Sequence, residues 1–549
     1  MTPHVSRKSS ARVTKRAAAL AAAAAMVVVG VQAGAGTATA APEKAQAPSA
    51  SAAAAAVRAN DIKSAQADAA SVARALGLGA GEKLIVRDVI KDADGTVHTR
   101  YDRTFDGLPV LGGDLVTHVA KGGKLKSIDK ATDAKISVPT TTPKLKSAAG
   151  ARKVIFAVSG KPTLAFETVK SSVKKDGTPS RLHTITDAAT GKTLYSFDEI
   201  DDGFKAGKAP KAPAKGGSGV KLKAGSGASM YSGEVALTTT KGGSGFELTD
   251  GERGGHKTYD LKGGQSGTGT LFTDADDKWG NGKADDAQTA AVDAAYGAAM
   301  TWDFYKAELG RNGIAGDGKA AYSRVHYGKA YVNAFWDDSC FCMTYGDGIG
   351  NTHPLTAIDV AGHEMSHGLT AATANLEYAG ESGGLNEATS DILGTAVEFF
   401  AKNTTDVGDY LIGEKIDING DGSPLRYMDK PSKDGQSLDY WDEKAGDVDV
   451  HYSSGIANHF FYLLAEGSGA KEINGVKYDS PTKDGSKVTG IGQEKAYKIW
   501  YKALSTYMTS TTDYKAAREA TLKAATDLYG ADGVEAKTVA AAWTGVNVK

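Results

Sequence analysis

The spacing of apolar positions changes character several times along the chain. "SAQADAASVARALGLG" repeats its apolar residues every three or four positions and predicts an amphipathic helix, whereas "KLIVRDVIKDADGTVHTRYDRTFDGLPVLGGDLVTHVA" alternates and predicts strands turning at "DADG" and "FDGLP". A second α+β unit is expected over 144–200. The stretch 204–227, "FKAGKAPKAPAKGGSGVKLKAGSG", has almost no core-forming residues and reads as an exposed linker open to proteolysis. From 228 to 350 short alternating runs such as "AYVNAFW" predict antiparallel strands, interrupted by one helix at "QTAAVDAAYGAAMTWDFYKAEL". Beyond 355 the period becomes helical, in "AIDVAGHEMSHGLTAATA", "GLNEATSDILGTAVEFFAK", "SGIANHFFYLLAE", "QEKAYKIWYKALSTYM" and "TDYKAAREATLKAATDLYG", the last closed by Gly530 as C-cap.

Such a chain is α+β overall and too long for a single core. Its first forty residues carry Arg7, Lys8, Arg12, Lys15 and Arg16, an apolar run "AAALAAAAAMVVVGV", and "ATA" ending at Ala40. That order is a secretory signal, residues 1–40, and predicts an extracellular protein. No later run is long enough to span a bilayer. The expected organisation is then a leader at 41–203 made of two α+β modules (about 60–140 and 144–200), the linker with a maturation site at 204–227, a β-rich lobe at 228–370 and a helical lobe at 371–549.

Charge is unevenly divided. Residues 42–225 hold 30 Lys+Arg against 19 Asp+Glu, a net of +11, and residues 226–549 hold 29 against 46, a net of −17. Two parts of opposite sign should attract each other. The scattered lysines, without interleaved aromatics, do not suggest a nucleic-acid partner. Cys340 and Cys342 are the only cysteines. Their i, i+2 spacing is near the limit of disulfide reach in a strand and needs a turn to close, and two thiols alone do not make a metal site.

"HEMSH" puts His363 and His367 four apart, on one face of a helix where both rings can reach one ion, and Glu364 about 100° round from His363, where it can reach a water instead. Catalytic zinc needs a third protein ligand. Glu387 in the next helix can supply it, and Asp391, four residues on, can take the second N–H of a ligating histidine. The alternative HExxHxxGxxH arrangement fails, because Thr370 and Thr373 stand where its Gly and His belong.

With "NEATSD" after "HEMSH", "NAFWDD" and "YGDG" before it, and "DVHYSSGIANHFFY" beyond, the chain from about 228 to its end resembles the thermolysin-like neutral zinc metalloproteases. The leader resembles that family's propeptide. The resemblance implies a two-lobed catalytic region with the zinc helix between the lobes, and a secreted zinc endopeptidase made as a self-processing zymogen. It implies zinc on His363, His367 and Glu387, with Glu364 as general base and Tyr378 and His451 as donors to the transition state. The family's aspartate five positions before that histidine is Gly446 here, so Asp447 is favoured over Asp449 as the residue orienting His451. Asn333 and Ala334 match edge-strand positions that pair with substrate backbone, and Arg426 one that holds a substrate carbonyl. Calcium is implied on Asp359, Glu398, Asp409, Glu414 and the Leu411 carbonyl, with Asp274 and Asp276 a weaker second cluster. Leu355, Val360, Ile412 and Leu425 resemble the walls of the pocket for the residue after the scissile bond. The implied partners are protein and peptide substrates and the chain's own propeptide, as chaperone and inhibitor. The enzyme is expected to act as a monomer. An aminopeptidase of related design would need an acidic cluster for the substrate's free amine, and none stands before the zinc helix.

Overall fold

The structure, a computed structural model, describes residues 50–202 and 222–549; the expected signal 1–40 and most of the linker 204–227 lie outside the described residues. The leader is one helix on one large sheet. Helix α1 (Ala50–Ala75) packs Ala69 and Ala73 against Leu84, Val86 and Leu115. The strands are β1 (Glu82–Lys91), β2 (Val97–Phe105), β3 (Leu108–Leu111), β4 (Leu115–Val119), β5 (Leu125–Lys130), β6 (Arg152–Phe156), β7 (Thr163–Val173), β8 (Pro179–Asp187), β9 (Thr193–Asp198) and β10 (Ile200–Asp202). Parallel pairing of β3 with β6 joins the two expected modules into a single nine-stranded sheet, β5-β4-β2-β3-β6-β7-β8-β9 with β1 on β2. The second half is all strand among the described residues, against the expected α+β unit. Its run "VIFAV" is short, apolar and β-branched, the pattern of a strand buried on both faces.

β10 leaves the leader and pairs antiparallel with Ala334–Asp337 of the β-rich lobe, Ile200 opposite Asp337 and Asp202 opposite Phe335. From there the lobe's sheet runs through Cys342–Tyr345, Tyr322–Val325 and His256–Asp260 to Thr249–Asp250. The predicted helix is α2 (Ala287–Glu308), capped by Asp286, whose side chain accepts from Gln288 N. Between Ala334–Asp337 and Cys342–Tyr345 the chain turns tightly: Phe341 has φ of 54°, and Cys340 and Cys342, 5.3 Å apart at Cα, form a disulfide.

Helix α3 (Ile358–Ala371) is buried from Ile358 to Thr370 and lies against α4 (Gly380–Ala401). Two glycines let them approach. A Cβ on Gly394 would come within 2.5 Å of Asp359 O, and one on Gly362 within 3.0 Å of Gly394 Cα. Gly455–Ala465, Gln493–Thr506 and Tyr514–Tyr529 form where predicted, and Gly530 N closes the last by donating to Thr526 O over 2.8 Å. A further helix, Val534–Gly545, follows, burying Val539, Ala542 and Trp543. No described helix is long and apolar enough to cross a membrane.

Candidate active site

The close approach of α3 and α4 brings His363, His367 and Glu387 together. The two Nε2 atoms are 3.0 Å apart, and the Glu387 carboxylate lies 3.5 Å from each ring. Three ligand atoms converge within 4.8 Å, all buried. The outer sides of both rings are taken: His363 Nδ1 donates to Asp391 Oδ1 and His367 Nδ1 to Asn386 Oδ1, each over 2.8 Å. Both Nε2 lone pairs therefore face the same point, and burial first, then His363, holds the His367 ring well below its ordinary pKa. Glu387 Oε2 has no hydrogen-bond partner among the described residues. Two neutral imidazoles and one carboxylate at this spacing fit a tetrahedral zinc ion, whose nitrogen ligands sit about 3.3 Å apart.

Asp391 holds the surroundings together. It accepts from His363, from Nε and Nη2 of Arg426 over 2.8 and 2.6 Å, and from Asn458 Nδ2 over 2.7 Å. Burial opposes its charge, but Arg426 and His363 outweigh it and keep the carboxyl well below its usual range. Arg426, expected to hold a substrate carbonyl, is itself buried and paired with Asp391.

Tyr378 and His451 converge on the same centre: Tyr378 OH donates to Glu387 Oε1 and lies 3.3 Å from His451 Nε2, which is 3.7 Å from Glu387 Oε1. The favoured partner of His451 was Asp447; the structure places Asp449 there instead, its Oδ1 accepting from His451 Nδ1 over 2.7 Å and from His451 N over 3.2 Å. Asp447 ends the preceding 3-10 turn, Ala445–Asp447, while Asp449 is N-cap of the turn Val450–Ser453, so one side chain caps the turn and holds the ring. Glu364 is fully buried beside His363. Leu355, Val360 and Ile412 are buried, and Leu425 packs on the same core.

A second buried cluster forms beyond α4. The oxygens of Glu398, Asp406 and Glu414 lie within 4.8 Å of one another. Asp406 escaped the sequence reading, which took Asp409 three positions on. Asp359 is fixed by Gly413 N and Val360 N, and Asp409 by Leu411 N. The Leu411 N–H holds the Asp409 carboxylate. Burial first, then mutual repulsion, raises Glu398 and Glu414 well above the carboxylate range, Asp406 to about 7 and Asp409 to about 6. Asp274 and Asp276 sit in a turn held by Asp276 N, Lys278 N and Lys278 Nζ, with Gln288 Nε2 of α2 donating to Asp274 Oδ2 over 3.2 Å, and belong to no ligand cluster among the described residues.

The leader lies over the side of the catalytic region that carries Tyr378 and Asn386. A cavity of about 480 Å³ is lined by Arg103, His183 and Tyr195 on one side and Glu377, Tyr378 and Asn386 on the other. Burial lifts Glu377 to about 7 beside Tyr195. Further out, Lys502 Nζ sits 2.6 Å from both Asp92 oxygens, Ser510 Oγ donates to Asp114 and Thr511 Oγ1 to Ala131 O. Lys523 pairs with Asp129. These ion pairs set leader carboxylates on catalytic-lobe lysines, the reverse of the sense in which the net charges differ.

The families described as thermolysin metallopeptidase, catalytic domain and alpha-helical domain, match residues 224–371 and 374–548, and the fungalysin/thermolysin propeptide motif matches 82–132. Bacillolysin of Bacillus cereus is 36% identical over 502 residues, covering 84% of each chain. The chain belongs to the thermolysin metallopeptidase family. Its zinc-binding trio is that of a thermolysin-like zinc metalloendopeptidase with a propeptide. The transglutaminase-activating metalloprotease of Streptomyces mobaraensis is 58% identical over 508 residues, 89% of this chain and 64% of that protein's length. Thermolysin of Alicyclobacillus acidocaldarius subsp. acidocaldarius is 35% identical, over 83% of this chain and 85% of its own. Among solved structures, the precursor of protealysin, a metalloproteinase from Serratia proteamaculans, is 30% identical with a TM-score of 0.42, over 57% of this chain and 90% of its own.

Proposed function

We propose that this member of the thermolysin family is a secreted endopeptidase that cuts on the amino side of bulky apolar residues and matures by cutting itself. The observation that carries the reading is the convergence of His363, His367 and Glu387 with Tyr378 and His451 on one buried point. A zinc ion on that trio supplies Lewis acidity to water and to the scissile carbonyl. Glu364 takes the proton of the attacking water and passes it to the leaving amine. Tyr378 OH and His451 Nε2 donate to the oxygen as it gains charge, and Asp449 keeps the His451 ring turned towards it. Asp391 and Asn386 fix the ligand rings in the tautomer that leaves Nε2 unprotonated, and Arg426 anchors Asp391.

Substrate adds as a strand alongside Asn333 and Ala334, on the edge where β10 now lies. Within the described residues β10 pairs with Phe335–Asp337, immediately beside Ala334, so the docked leader restrains the enzyme by lying on that edge and by lining one cavity with Tyr378. Leu355, Val360, Ile412 and Leu425 form the apolar pocket beyond the bond. Calcium on Glu398, Asp406 and Glu414, backed by Asp359 and Asp409, stabilises the helical lobe. The chain frees itself by a cut in 204–225; Ser226 and Gly227, expected to belong to the exposed linker, lie buried in the strand Ser226–Ala228 because Val235 and Trp279 pair with it.

The test is Glu364→Gln, which keeps the zinc ligands but lacks the base. Made in a protease-deficient host, it should accumulate as uncut precursor and be trimmed within 204–225 by a trace of active enzyme. Normal processing of the variant in that host would overturn self-maturation.

A further inference from the structure

Where the leader meets the helices Gln493–Thr506 and Tyr514–Tyr529, two histidines face each other. His98 on β2 and His118 on β4 are cross-strand partners with their Nδ1 atoms 2.6 Å apart, and each is 2% exposed. Their Nε2 atoms point at carboxylates, His98 at Asp92 and His118 at Asp129, each over 2.8 Å. The catalytic lobe closes over the pair. The Tyr507 ring stacks on His118 with centroids 4.8 Å apart and meets His98 edge-on at 5.8 Å. Lys502 Nζ reaches Asp92 and comes within 3.2 Å of His98 Nε2, Lys523 holds Asp129, and Tyr507 OH donates to Asp527. Arg100, next along the same face of β2, donates to Leu504 O and Ser505 O.

We propose that the His98–His118 pair makes docking of the leader acid-labile, so that a fall in pH through about 6 releases it from the catalytic lobe. Only one proton fits between the two Nδ1 atoms, so one ring donates there to the other. Protonating both rings would set N–H against N–H, two imidazolium charges in contact in a buried site beside the Lys502 ammonium. Once the leader is released, both rings are open to water and each can take its own proton. Below the pKa of a free histidine the docked state therefore binds fewer protons than the released one.

Burial, and then the charges of His98 and Lys523, hold His118 below its ordinary pKa against the pull of Asp129. A pKa lower when docked than when free gives docking that is complete above the free value and lost as pH falls below it. Asp92 is held down to about 2, and Asp129 is also lowered, so both acids stay charged through this window and the transition belongs to the histidines. One excluded proton weakens docking about 30-fold between pH 8 and pH 5.

The inference rests on the reading that the docked leader restrains the enzyme, and the two are tested apart. A site-specific protease site placed in 204–221 of the full-length Glu364→Gln chain gives a cut but inactive complex. Its dissociation constant is measured by size exclusion on dilution between about pH 5 and pH 8. The expected result is docking about 30-fold weaker at the acid end, with His98→Gln and His118→Gln, whose amides hydrogen-bond without titrating, changing less than about 3-fold over the same range. The ratio between the two ends is read within each variant, so a variant that docks weakly throughout still reports. A wild-type pair that changes less than about 3-fold, or glutamine variants that fall off as steeply, would overturn the proposal. Separately, peptide hydrolysis by the freshly cut wild-type complex near pH 7.5 shows whether docking restrains the enzyme; full activity there sinks the restraint reading and leaves the acid-lability result standing.

Discussion

His363 donates from Nδ1 to Asp391 over 2.8 Å, and the same carboxylate takes two nitrogens of Arg426. One buried charge thus orients a metal ligand and neutralises a buried guanidinium. Asp391→Asn removes the charge but keeps an acceptor for His363, leaving Arg426 uncompensated in the interior. The expected outcome is zinc affinity about 10- to 100-fold weaker, measured by chelator competition, together with a lower melting temperature. Unchanged zinc affinity would contradict the orienting role.

The choice between Asp449 and Asp447 is a kinetic question. Asp449→Asn should lower kcat by about 100-fold with KM nearly constant, because His451 is asked to act on the transition state alone. Asp447→Asn should stay within about 3-fold of wild type. The reverse ranking would restore Asp447 to the role that the motif spacing first suggested.

Removing calcium should make stability depend on pH in a definite direction. Without the ion, Asp406 and Asp409 titrate at about 7 and about 6 when folded, above their unfolded value of about 4. The folded state then holds more protons than the unfolded one, so stability is highest at acid pH and falls as pH rises through 6 and 7. Melting of the chelator-treated Glu364→Gln protein should therefore drop from about pH 5 to pH 8, and added calcium should flatten the curve. Identical curves with and without calcium would argue that the cluster holds no ion.

An apolar pocket selects by burial, at about 25 cal/mol per Å² of apolar surface. Cleavage sites mapped in a peptide library should carry Leu, Phe, Ile or Val immediately after the cut bond. Charged residues leading at that position would remove Leu355, Val360, Ile412 and Leu425 from the pocket.

Much of the site was legible because it is helical: the i, i+4 spacing of His363 with His367 and of Glu387 with Asp391 survives into α3 and α4 as written. What escaped depends on the tertiary arrangement. Asp406 and Asp409 are both acids in one loop, and only the path of that loop decides which one meets Glu398 and Glu414. The strand β10 is three residues long and is a strand because Ala334–Asp337 offers it an edge. His98 and His118 looked like ordinary strand residues until β2 and β4 set them opposite each other. The all-strand second half of the leader was missed because short apolar runs read equally as helix or strand.

The most direct measurement is peptide hydrolysis by Glu364→Gln loaded with zinc to the same stoichiometry as the wild type. The account predicts one zinc ion per chain, a native fold, and kcat lower by at least about 1,000-fold, since water is no longer deprotonated as it attacks. A zinc-loaded variant that cleaves within about 10-fold of the wild-type rate would show that Glu364 is not the base, and would contradict the mechanism at its centre.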